Sequence, residues 1–60
     1  MAQLNQIELQ NLRHLVGGYQ TTASKLNDYA NQCQDQQIKQ MLQQAAASAQ
    51  NTTQKLMGFL

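Results

Sequence analysis

Apolar residues recur at every third or fourth position along almost the whole chain, and no proline interrupts them. Leu9, Leu12, Leu15/Val16, Tyr19, Thr22/Ala23, Leu26, Tyr29/Ala30 and Cys33 form one series. Ile38, Met41/Leu42, Ala45, Ser48/Ala49, Thr52, Leu56 and Phe59 form a second. Steps of three and four return each residue to the same side of a helix, whereas a half-buried strand needs strict alternation. The pattern therefore predicts two amphipathic helices and no sheet, an all-α chain.

The expected ends follow from short polar signals. Asn5 and Glu8 have the spacing of a capping box, in which the Asn side chain takes an orphan backbone N–H and the Glu side chain returns to the cap. Leu4 and Leu9 flank it as a hydrophobic staple. The apolar series pauses at Gln34-Asp35-Gln36, and Asp35 is a good N-cap for a second helix. The reading is one domain, 1–60, with a helix over about 5–33, a turn at 34–35 and a helix over about 36–57. So short a link forces the helices antiparallel, as an αα-hairpin. Gly17-Gly18 weakens the first helix, but the series keeps its phase across the pair, which favours one continuous helix.

Thirteen Gln and five Asn give a surface that is polar but nearly uncharged, and Gln is a good helix former, so this composition suits long helices. Sixty residues with one cysteine and no disulfide bury too little surface to be comfortable alone. The apolar stripes are also wider than a single pair of helices can cover. Two hairpins packed face to face about a two-fold axis close that surface, and a homodimeric four-helix bundle is the expected assembly. From the first helix Leu12, Leu15, Val16, Tyr19, Leu26 and Tyr29 are expected in its core or dimer interface. From the second helix the expected set is Ile38, Leu42, Ala45, Ala49, Leu56 and Phe59.

Little chemistry is written into this chain. His14 and Cys33 stand nineteen positions apart on one expected helix, about 28 Å along its axis, and cannot share a metal. Glu8, Asp28 and Asp35 form no Glu-x-x-His pair of the kind that holds metals in helical bundles. No phosphate-binding glycine loop is present, and Glu8 has no partner for acid–base work. No catalytic residue, metal ligand or cofactor is expected, and the chain reads as a non-enzyme. Arg13, Lys25, Lys39 and Lys55 are dispersed and the formal net charge is +1, which argues against nucleic acid as a partner. No apolar run reaches the roughly 18 residues of a membrane span, and the opening Met-Ala-Gln-Leu-Asn-Gln has no leader-like segment, so cytoplasmic synthesis is expected. The expected partner is a second copy; the alternative is an adaptor that binds another protein's helix in its apolar groove.

One family resemblance adds to this. The segments Asn11-Leu12-Arg13-His14-Leu15, Lys25-Leu26-Asn27-Asp28-Tyr29-Ala30, Cys33-Gln34-Asp35 and Ile38-Lys39-Gln40-Met41-Leu42-Gln43-Gln44-Ala45 resemble small clostridial and bacillar proteins of the spore coat protein F family. Gln36 stands where that pattern has Pro after the turn Asp, and Tyr19 and Gln20 stand where it has a His-Glu pair. The resemblance implies a ferritin-like helical fold and a structural role in the spore coat, with other coat or spore proteins as further partners. Loss of the His-Glu pair removes iron chemistry from that expectation.

Overall fold

The computed structural model describes residues 4–60 as two helices, α1 over Gln6–Gln32 and α2 over Gln36–Met57, which pack against each other. No strand occurs among the described residues. The N-terminus of α1 is fixed by a complete capping box: the Glu8 N–H donates to Asn5 Oδ1 at 2.7 Å, and the Asn5 N–H donates to Glu8 Oε1 at 3.1 Å. The helix runs unbroken through Gly17-Gly18, with no positive φ at either glycine. It stops where Cys33 turns extended, its N–H closing a last tight turn on the Ala30 carbonyl at 3.2 Å.

Asp35 starts α2. One carboxylate oxygen accepts from both the Gln37 N–H, at 2.9 Å, and the Ile38 N–H, at 3.1 Å, satisfying two donors that a helix start leaves free. At the far end the Gly58 N–H is shared between the Gln54 and Lys55 carbonyls, and Phe59 and Leu60 donate to Leu56 and Met57. These bonds tighten the last turn and occupy carbonyls that α2 would otherwise leave bare. Three linking residues reach only about 10 Å, against a helix about 33 Å long, so α2 returns alongside α1 in the opposite direction.

The seam between the helices is built from small side chains. Val16, Ala23 and Ala30 of α1 and Ala46, Ala49 and Thr53 of α2 are buried, Ala30 to 1% exposure and Ala46 to 2%. Leu9, Leu12, Tyr19, Leu26 and Cys33 continue the α1 row half-buried, as Lys39, Leu42 and Leu56 do on α2. Both rows step by three and four without a break, the spacing that keeps two helices in contact along a left-handed seam. Lys39 lies on this row through its aliphatic stem, a placement that leaves the ammonium free to reach water. The buried Thr53 hydroxyl donates to the Ala49 carbonyl at 2.8 Å, so no polar atom is stranded there.

One layer of two helices results. Its Cα extents are 45 × 17 × 10 Å and its radius of gyration is 14.2 Å, against roughly 10 Å for a compact domain of this length. Each helix has a single neighbour, and among the described residues no large side chain is fully buried. With packing this thin, the caps carry a large share of what fixes the turn. Asp35→Ala is expected to lower the unfolding free energy by about 1 kcal/mol, read from urea denaturation followed by circular dichroism. An unchanged midpoint would show that α2 starts without its cap.

Candidate functional site

Each helix carries a second row one residue ahead of its seam row, and several of its positions hold apolar or small side chains. On α1, Leu15 precedes Val16, Thr22 precedes Ala23 and Tyr29 precedes Ala30. On α2, Ile38 precedes Lys39, Met41 precedes Leu42, Ala45 precedes Ala46 and Thr52 precedes Thr53. One residue back is a rotation of about 100°, which places this row on the flank of the seam. In an antiparallel pair the equivalent flanks of both helices turn to the same side. The two rows therefore merge into one face.

Along the middle of that face runs an open groove. Leu15, Gly18, Tyr19, Thr22 and Leu26 line it from α1, and Ala45, Ser48, Ala49 and Thr52 from α2. Large apolar side chains stand at both ends, exposed to a degree unusual for their type: Tyr29 and Met41 near the turn, 56% and 63% exposed, with Ile38, and Leu15 and Phe59 toward the open end. Ile7, 71% exposed, shares this side by helical register. Glu8, Lys25 and Lys55 stand on this outer row by the same register, one residue ahead of Leu9, Leu26 and Leu56, so charge interrupts the row at three positions. The opposite groove differs in character. Gln20, Ser24, Asn27, Gln50 and Gln54 line it, with Ala23, Thr53 and Met57. The first groove is thus lined by aliphatic, aromatic and small side chains, and the second by four amides beside Ala23, Ser24, Thr53 and Met57.

The twelve residues expected in core or interface fall into three groups. Val16 and Ala49 are buried within the hairpin. Leu12, Tyr19, Leu26, Leu42 and Leu56 are half-buried along the seam. Leu15, Tyr29, Ile38 and Ala45 are exposed on the groove side, and Phe59 is exposed just beyond the end of α2. Four buried residues lie outside the expected set: Ala23, Ala30, Ala46 and Thr53. Their signal is position in an unbroken three-four series, and it is masked because the residue just before each is as large or larger.

Reactive side chains are not gathered anywhere. His14 is exposed beside Arg13 over the bare backbone of Gly17-Gly18. Cys33 is half-buried at the turn, and its thiol donates to the Asp35 carbonyl at 3.6 Å. Among the described residues no three His, Cys, Asp or Glu side chains come together as a metal site, and no helix is long and apolar enough to cross a membrane. No family model, no curated protein and no solved structure matches the chain.

The seam and the apolar face meet at Leu26, which is half-buried and also lines the groove. Leu26→Asp is expected to abolish helicity, because a carboxylate here has no partner and costs several kcal/mol in a structure with few reserves. Ile7→Asp, at the exposed start of α1, should keep near-native helix content. Circular dichroism of the two variants measures the contrast, and full helicity in the Leu26 variant would contradict the placement of the seam.

Proposed function

We propose that this chain is a non-enzymatic structural protein that works by self-association, two hairpins joining apolar face to apolar face as a four-helix bundle. The observation that carries the reading is the segregation of exposed apolar bulk. Of the eight large apolar residues exposed among the described residues, Leu15 lines the groove and Ile7, Tyr29, Ile38 and Met41 share its side by helical register. A monomer in water does not gain from collecting them there; an interface does. The amide-rich opposite side keeps such a bundle soluble with little net charge, so neither repulsion nor long-range attraction steers its assembly.

The resemblance carried by Asn11–Leu15 and by the turn from Tyr29 to Lys39 supplies a setting for this role. In that setting the bundle is a component of a spore coat, packed among other coat proteins. Support for the coat comes from the resemblance alone, whereas support for self-association comes from the apolar face.

Light scattering on the eluting protein over a range of concentrations tests the assembly. The expected mass is twice that of the chain, with dissociation only on strong dilution. A mass of one chain throughout would overturn the reading and leave the groove free for a helix of another protein. Detection of the chain in coat fractions of purified spores tests the setting, and its absence there would remove the coat while leaving the assembly intact.

A further inference from the structure

Gly17 and Gly18 are a paradox within a single hairpin. Each costs about 1 kcal/mol relative to Ala in a helix interior, yet neither adopts a positive φ and a Cβ built on either meets nothing within 4 Å. Nothing inside the chain calls for a glycine at either position. The two differ in where they stand. Gly18 lines the apolar groove, one turn from Leu15 on one side and from Thr22 on the other, whereas Gly17 does not reach that groove. The Gly17 carbonyl is instead occupied by the Thr21 hydroxyl at 3.0 Å.

The exposed area says how much surface a partner has to cover. The hairpin exposes 4916 Å², whereas a folded monomer of its mass, 6.7 kDa, exposes about 3,900 Å². The excess is about 1,000 Å², close to the roughly 800 Å² that each partner gives up in a standard-size interface. The outer row carries its smallest side chains in the middle of the groove, at Gly18, Thr22, Ala45 and Ser48, with Leu15, Tyr29, Ile38 and Met41 toward the ends. Two identical faces related by a two-fold axis that lies in the interface plane and passes through the centre of the face meet middle to middle. For the middles to touch, the backbones must come close there.

We infer that a second copy of this chain seats on the groove between Leu15–Leu26 and Ala45–Thr52, and that Gly18 is its point of closest approach. The inference rests on the self-association proposed above and assigns it a contact. Gly18 is kept because the copy's side chains or backbone occupy the volume a Cβ would take. Gly17, on the outer side, has no such role and serves as an internal control: the same residue type, in the same helix, one position away.

The test compares Gly17→Ala with Gly18→Ala in the full chain, measuring helix content by circular dichroism and the dimer dissociation constant by sedimentation equilibrium. Helix propensity alone predicts the same small gain in both. The expected result is that Gly17→Ala leaves dimerisation unchanged or tighter, while Gly18→Ala weakens it at least about tenfold relative to Gly17→Ala, as overpacking a tight contact does. Gly18→Leu should give a monomer that keeps helix content at high concentration. Equal behaviour of the two alanine variants, or tighter association with Gly18→Ala, would overturn this contact while the dimer stands. A wild-type chain that is monomeric at every concentration would instead remove the self-association on which the contact rests.

Discussion

The close approach of α1 and α2 over alanine and threonine is the constraint from which the other features follow. Ala23 and Ala30 face a partner helix whose own inward residues are Ala46, Ala49 and Thr53, so the two axes can run near each other for most of their length. Close approach makes many contacts between backbones and Cβ atoms but removes little apolar area per residue. At about 25 cal/mol per Å², a seam of alanines contributes much less than one of leucines. A hairpin sealed this way is well defined in register and poorly supplied with core.

Leu15, Tyr29, Ile38, Met41 and Phe59 are displaced from the seam and stand exposed, apolar bulk that the hairpin itself leaves uncovered. Leu15, Tyr29, Ile38 and Met41 each sit one position ahead of a seam position, and the antiparallel arrangement gathers them on one side. The stripe thus divides into a tight inner row within the hairpin and a bulkier, exposed outer row. Glutamine and asparagine occupy the remaining side, where they keep helix propensity high without adding charge.

How much of this fold is legible in the amino-acid sequence depends on the kind of signal. Asn5, Glu8 and Asp35 announce helix starts through specific side-chain hydrogen bonds, and those bonds are present at 2.7 to 3.1 Å. The all-helical character is legible because a three-four series lasting most of the chain has no other solution. The division between inner and outer rows is harder to read. Ile38 and Met41 outrank Ala46 and Thr53 in hydropathy, and a reading guided by hydropathy points the larger residues inward. What decides the matter is volume: two helices linked by three residues close most tightly where side chains are small, and hydropathy scales do not encode that. Thr53 is hidden for a further reason, since a threonine is acceptable inside only when its hydroxyl bonds its own helix, as it does to Ala49.

The central claim is that the outer row is an interface rather than a surface. The most direct measurement is an isotope-filtered NOE experiment on a mixture of labelled and unlabelled chains, which detects only contacts between copies. The account predicts intermolecular contacts from Leu15, Tyr29 and Met41, and none from Gln20, Gln50 or Gln54 on the amide side. Contacts confined to the amide side, or no contacts between copies at concentrations where the helices are fully formed, would contradict it.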